Sequence, residues 1–358
     1  MFNKNHTFLI AEGGVNHNGK VKNAYELIDI ASDSGVDAIK FQTFKAENIC
    51  TRHAPKAYYQ TKTDKNDTQF NMLKKLELNF QQFKDLANYA KKKKIIFLST
   101  PFDTKSVDYL VDELKVEAIK IPSGEINNFE LIDHISKKKV PVILSSGASN
   151  IEEISIALNL LMKGKKLGRN LKNNKFLNKD IKTNKNLAVL HCVSEYPAPI
   201  EEANIRCINL LKEKFGWNIG YSDHCMGLAA SISAVFLGAT IIEKHITINR
   251  EMEGPDHFAS IEPDELNLLV KTIRDLKPSL GKPKKMVTQS EKKNRKVIRR
   301  SLVASKKITK GDLFDFNNLT TKRPALGIEA SRFFEYIGQK ALRDYVRDEI
   351  INQKLNKK

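Results

Sequence analysis

Cysteine is scarce and scattered. Cys50, Cys192, Cys207 and Cys225 are the four among 358 residues, and no two stand in a CxxC spacing. A disulfide-stapled scaffold is thereby excluded, and a reducing cytoplasm fits. No apolar run approaches the ~18 residues of a membrane span. Residues 1–6 are polar, without the apolar core of a secretory signal. No membrane partner is expected. Acidic residues fall short of basic ones, 42 against 60, leaving a formal charge of +18. Such an excess suits nucleic acid or an anionic small substrate. Much of it lies in two stretches, 163–186 and 277–300, the first with eight lysines, one arginine and six asparagines. Neither has regularly spaced aromatics or a nucleic-acid-binding motif. They read as solvated loops and linkers, and no nucleic-acid partner is expected.

What the sequence does have is a repeating unit. Short apolar runs occupy 8–12, 38–42, 95–100, 118–123, 140–146, 187–192, 218–223 and 240–247, with helical stretches between them. Parallel strands buried on both faces look like this. Just inside or after their C-terminal ends stand Glu12, Lys40, Lys120, Ser123, Ser145, Ser222, His224 and His245. Polar groups gathered at strand C-termini mark the catalytic face of an α/β chain folded as a (β/α)8 TIM barrel. The length accommodates one barrel of roughly 250 residues and a small second domain. The expected division is a barrel over 1–276, a linker over 277–296 and a compact domain over 297–358. Sixty residues are few for an independent core, so that domain is expected to dock on something.

Local signals agree. Phe83, Leu86, Ala87 and Ala90 make a helical apolar stripe. Asn150 ahead of Glu152 and Glu153 reads as a helix start, and Pro263 opens a helix carrying Leu266, Leu269 and Ile273. The polar excursion after the second strand, through Tyr58, Tyr59 and Gln69, is too long for an ordinary βα loop and is expected to form a lip over the site.

Four clusters carry chemistry. Glu12 ends a strand ahead of a glycine and asparagine turn; it is either a functional carboxylate at the barrel mouth or the partner of a lysine. Lys40 and Lys120 sit among apolar residues inside strands, where a charge is costly without an anion. With Ser123 and Ser145 they form a phosphate or carboxylate site, a structural Lys–Glu pair, or a Schiff-base centre. His224 and His245 end consecutive strands, so they are neighbours able to hold a divalent metal, with Glu243 either joining through a water or bracing a histidine. Finally, 253–257 reads as a rigid loop suited to holding a polyol through Asp256. His191, within an apolar strand, reads as a core histidine, and His17 as a turn residue near the site.

Together these clusters resemble the bacterial sialic acid synthase family, the nonulosonic acid synthases. The matching segments are IAEGGVNHNG (10–19), IKFQTF (39–44), FLSTPFD (97–103), IKIPSGE (119–125), LSSGAS (144–149), LHCVSEYPAP (190–199), YSDH (221–224), EKHIT (243–247), EGPDH (253–257) and TKRP (321–324). They run in order along essentially the whole chain. The resemblance implies a TIM barrel followed by an antifreeze-like SAF domain, and condensation of phosphoenolpyruvate with an N-acetylated mannose-type sugar. It implies that His224 and His245 bind a divalent ion, Mn²⁺ first, with Mg²⁺ or Co²⁺ as alternatives. Lys40, Lys120, Ser123, Ser145 and Ser222 would take phosphoenolpyruvate. Glu12, Gln42, Glu125, Tyr196, Asp256 and Arg323 would engage the sugar, Arg323 arriving from the partner of a domain-swapped homodimer. Ser194 stands in the phosphoenolpyruvate pocket where some members carry asparagine, Ala325 stands where glycine is usual, and 163–186 is a longer and more basic insertion than the family implies. The segments around 194–199 and 252–263 look closer to the legionaminic acid branch than to some N-acetylneuraminate enzymes. The pseudaminic acid branch fits less well, because its first motif differs.

Overall fold

The computed structural model describes residues 6–62, 67–163, 186–216 and 218–355. The basic insertion expected at 163–186 falls, but for its ends, outside them. Two compact units divide the chain, Met1–Gly281 and Lys282–Lys358.

In the first unit, β1 (Phe8–Gly14), β2 (Ala38–Thr43), β3 (Ile96–Pro101), β4 (Ile119–Ile121), β5 (Val142–Ser145), β6 (Leu187–His191), β7 (Ile219–Asp223) and β8 (Ile241–His245) close into a barrel. Every neighbour pair is parallel, and β1 joins β8 through Glu12 opposite His245. Each strand matches its expected run. Two-residue alternation then decides which side chains enter the barrel. Phe8, Ile10, Ala38, Leu98, Ala118, Ile143, Ala188, Leu190 and Ile241 pack together as an inner plug. A larger cluster, including Leu9, Ile39, Phe41, Ile119 and Ile242, fills the space toward the helices. One or two pleats beyond the plug, the inward positions become Glu12, Lys40, Thr100, Lys120, Ser145, Ser222 and Glu243. The plug is therefore the floor on which the polar residues stand.

Helices begin where capping chemistry allows. Asn79 and Gln82 form a capping box for Phe80–Lys92. Asn150 and Glu153 bond each other's backbone amides ahead of Ile151–Lys163. Pro263 stands at the first turn of Pro263–Leu280, whose Glu262 and Glu265 close a second box. That helix runs past the boundary expected at 276, through Pro278. Part of the supposed linker is a helix as well: Gln289–Ile298 opens with a Thr288–Glu291 capping box and buries none of its residues. A fully solvated helix has no apolar period to reveal it, and its lysines and arginines are good helix formers.

The second unit has its own core. β9 (Ser301–Ala304) pairs antiparallel with β10 (Leu319–Lys322). Leu302, Ile308, Phe314, Leu319, Tyr336, Tyr345 and Ile351 are buried together behind them.

Gly220 tests the packing of the plug. A Cβ there would press on the Ile241 carbonyl oxygen and stand 2.5 Å from Leu190 Cδ2. Overpacking of this kind costs about 1–3 kcal/mol. Gly220→Ala is expected to lower the urea midpoint of unfolding accordingly, and an unchanged midpoint would contradict the tight contact.

Candidate active site

Four charged side chains stand on the plug, none more than 3% exposed: Glu12, Lys40, Lys120 and Glu243. Lys120 Nζ donates to both Glu243 oxygens, at 2.7 and 2.9 Å. Lys40 Nζ lies 2.6 Å from Glu12 Oε2 and 3.6 Å from Glu243 Oε2, and donates to Thr100 Oγ1 at 3.1 Å. Ser222 donates to Glu243 Oε1 at 2.8 Å. Burial penalises every charge here, and the neighbours decide the outcome. Burial lifts Glu12 to about 7 despite the pull of Lys40. Burial also pushes Glu243 upward, but Lys120 and Lys40 together hold it well below the usual carboxylate range. In Lys40, burial is outweighed by Glu12 and Glu243, and the net shift is upward; in Lys120 burial wins and the shift is downward. The two lysines thus face one carboxylate held ionised, Glu243, and one that burial pushes toward its neutral form, Glu12. A dianion or carboxylate entering beside the lysines would be stabilised in a low-dielectric site.

Beside the lysines lies a hydroxyl-lined shelf. Ser145 Oγ is buried without a hydrogen-bond partner among the described residues. Ser123 Oγ accepts from the Gly147 amide at 2.9 Å and lies 3.1 Å from Cys192 Sγ. Gly147 must lack a side chain, because a Cβ would run into Ser194 Oγ, Cys192 Sγ and Ser123 Oγ.

Across the mouth stand the two imidazoles, ring centroids 5.5 Å apart and nearly perpendicular. His224 Nδ1 lies 2.6 Å from the Val193 carbonyl, which only accepts; the proton therefore sits on Nδ1 and the lone pair on Nε2. Burial draws His224 down to about 4 and His245 well below its ordinary value. His245 Nδ1 is buried with no hydrogen-bond partner among the described residues, 3.9 Å from Asp256 Oδ2. Two uncharged imidazoles, one with an orphaned nitrogen, are a donor set able to hold a divalent cation. Among the described residues no group of three or more His, Cys, Asp or Glu could hold one. Water or substrate oxygen would complete the shell. Tyr196 stacks on His224 at 4.1 Å and meets His245 edge-on at 5.5 Å.

The outer wall comes from long loops. The excursion after β2 folds into Ala46–Ile49, a tight turn at Tyr58–Lys62 and Gln69–Leu76, and brings Ile49, Tyr59, Gln60, Gln69 and Met72 to the cavity. Tyr59 packs on Tyr196 at 5.0 Å. Asp256 enters from the loop after β8. The enclosed volume is about 300 Å³.

Of the residues singled out from sequence, Glu12, Lys40, Gln42, Lys120, Ser123, Ser145, Ser194, Tyr196, Ser222, His224, His245 and Asp256 all line this cavity. Two stand elsewhere. Glu125 follows the end of β4 on a tight turn, Ser123–Glu125, that carries it off the cavity wall, where its carboxylate accepts from Asn128 at 2.6 Å. Arg323 belongs to the second unit and is exposed there. Glu243 braces no histidine; it is the counter-charge of the two lysines. Thr100 was not foreseen, though it is in phase with inward Ile96 and Leu98, and Tyr59 was foreseen only as part of the lip. His191 is a core histidine, bonded to the Ala203 carbonyl and stacked on Tyr221.

Fold and site define a TIM-barrel enzyme with a lysine–carboxylate floor and a paired-imidazole mouth. The chain belongs to the NeuB family, whose model matches residues 27–285. It is 47% identical to the N,N'-diacetyllegionaminic acid synthase of Campylobacter jejuni subsp. jejuni serotype O:2, over 97% of this chain and 99% of that protein. To the enzyme of the same name from Legionella pneumophila subsp. pneumophila it is 37% identical, over 93% and 90%. Among solved structures it is similar to an N-acetylneuraminic acid synthetase from Leptospira borgpetersenii serovar Hardjo-bovis in complex with citrate. That match has a TM-score of 0.65 and 34% identity, covering 81% of this chain and 90% of the other.

Asp256 gives a test independent of turnover. Burial raises its carboxyl from 3.8 to about 6, so the folded state binds this proton more tightly than the unfolded chain. The resulting stability is complete below the unfolded value and is lost as pH rises through about 6. Relative to the parent, Asp256→Asn should therefore lose more melting temperature at pH 5 than at pH 8, and an equal loss at both would refute the assignment.

Proposed function

We propose that the protein is a nonulosonic acid synthase of the N,N'-diacetyllegionaminic type. It would join phosphoenolpyruvate to open-chain 2,4-diacetamido-2,4,6-trideoxymannose and release phosphate; N-acetylmannosamine, giving N-acetylneuraminate, is the other sugar of the class. The observation that carries this reading is the buried pair of lysines at the bottom of a cavity whose mouth holds two neutral imidazoles. The near full-length similarity to named legionaminic acid synthases supports the diacetamido sugar.

The residues divide the work. Lys40 and Lys120, with Ser123, Ser145, Ser194 and Ser222, receive the phosphate and carboxylate of phosphoenolpyruvate and neutralise the departing phosphate. Gln42, Tyr196 and Asp256 orient the sugar so that its C1 lies against C3 of phosphoenolpyruvate. The new bond forms from the C2–C3 π electrons as the C1–O π bond opens to an alkoxide, leaving positive character at C2, where water adds. Glu12, near its midpoint at neutral pH, accepts that water's proton, and the C1 oxygen takes up a proton to become a hydroxyl. Cleavage of the C2–O bond then expels phosphate. His224 and His245 would hold Mn²⁺, or Mg²⁺ or Co²⁺ in its place, which supplies Lewis-acid polarisation of the aldehyde oxygen. The second unit is read as an antifreeze-like SAF domain. Its Arg323, a fixed cation suited to sugar oxygens, is read as reaching the site of a partner subunit in a domain-swapped homodimer. A cytoplasmic place fits the unpaired cysteines, and no helix among the described residues is long and apolar enough to cross a membrane.

One observation favours a second reading. Burial lowers Lys120, as a Schiff-base lysine requires. Its two short bonds to Glu243 oppose that role, because they favour the ammonium form. Borohydride added with substrates should leave no adduct on Lys40 or Lys120; a trapped imine would replace the synthase reading with an aldolase.

Product and phosphate assays with both sugars test the main proposal, with the diacetamido sugar expected to be preferred. Turnover of neither would overturn it. EDTA should abolish turnover and Mn²⁺ restore it, while full activity after metal stripping would remove the metal from the scheme.

A further inference from the structure

The loop that delivers Asp256 is fastened to the turn that follows Glu12. Asn16 Nδ2 donates to the Ile246 carbonyl at 2.8 Å and to Ser260 Oγ at 2.9 Å, and Ser260 Oγ donates to Asp256's own carbonyl at 2.6 Å. Two residues on, Asn18 Nδ2 donates to the Glu253 carbonyl at 2.8 Å, and Asn18 Oδ1 lies 3.1 Å from His257 Nε2. The other ring nitrogen, His257 Nδ1, is 2.7 Å from Thr247 Oγ1.

These contacts allow one consistent direction for the protons. With its amide nitrogen committed to Glu253, Asn18 turns an acceptor toward His257, so His257 must carry its proton on Nε2. Thr247 then donates to Nδ1, a shorter contact than its 3.0 Å approach to the Asn249 carbonyl. A single neutral tautomer thus links Thr247, His257, Asn18 and the Glu253 carbonyl. Burial, which draws His257 down to about 4, favours the same neutral ring. Gly254 makes room for the arrangement. Its φ is +152°, and a Cβ there would stand 2.5 Å from His257 Cδ2 and 2.8 Å from Asn18 Oδ1. Asp256 sits between the two fastenings: its carbonyl is held through Ser260, and its successor in the chain is His257. Asp256 itself is buried and lines the cavity.

We propose that the Asn18–His257 bond is a clasp that sets the position of Asp256 against the sugar, with His257 as a positioning residue. Neither residue lines the cavity, so the effect runs through the loop. The inference rests on the reading of Asp256 as a sugar contact, and the experiment separates the two. The full chain is assayed with phosphoenolpyruvate and the preferred sugar. Asp256→Ala is expected to raise the sugar KM; if it does not, the sugar contact falls and the clasp with it.

Given that rise, His257→Ala and Asn18→Ala should each raise the sugar KM roughly tenfold, the order expected for a lost buried hydrogen bond. The KM for phosphoenolpyruvate should stay within about threefold of the parent, within the scatter of such effects. The double variant should be no worse than either single one. His257→Gln, which can still donate to Asn18, should recover most of the loss. A sugar KM unmoved by both single changes would overturn the clasp. So would equal rises for both substrates, or full multiplication of the two effects. Should His257→Ala fail to fold, Asn18→Ala and His257→Gln decide between the same outcomes.

Discussion

Two lysines and two glutamates sealed above an apolar plug cannot be charged independently. Each ammonium is tolerable only because a carboxylate lies within 2.7 Å, and each carboxylate is set by how many ammonium groups it shares. Glu243 has both lysines and a serine hydroxyl and stays ionised; Glu12 has one lysine and drifts toward neutrality. This inequality keeps Glu243 ionised and leaves Glu12 able to exchange a proton near pH 7. Breaking one partnership would leave a buried charge without compensation, so the anion pocket and the stability of the barrel mouth rest on the same contacts.

The imidazoles depend on that arrangement through the strands. Glu243 and His245 stand two residues apart on β8, on one face by the alternation of the strand. Anchoring Glu243 to β4 through Lys120 therefore fixes where His245 emerges. His224 is held by the Val193 carbonyl and by Tyr196 across its face, and Tyr196, which also meets His245 edge-on, ties the two rings together.

Much of this could be read in the chain. Every barrel strand announced itself as a short apolar run, because a strand buried on both faces has little freedom in composition. Its C-terminal polar residues marked the mouth, because a lysine between two isoleucines, such as Lys120, is costly unless a counter-charge or an anion meets it. What stayed hidden was pairing across the barrel. Glu243 looked like a histidine's brace because sequence places it beside His245, whereas its partners come from β2 and β4. Glu125 belongs to the same motif as Lys120 and Ser123, but the turn at Ser123–Glu125 leaves it outside the lining of the cavity. The Gln289–Ile298 helix was missed because it buries nothing, and hydrophobic periodicity records only burial. The helices of the excursion after β2 were concealed in a segment that reads as polar.

The cavity is assembled from two kinds of material. Its anion end is written into the strands themselves, where moving one residue disturbs the plug and its neighbours. Its outer end comes from the excursion after β2, from the loop around Asp256 and from Tyr196, all beyond the strand ends. Such a division separates the reaction from the identity of the acceptor. Loops of a different length or composition could present another sugar to an unaltered floor, so one barrel can serve several acceptor sugars by changing only its rim.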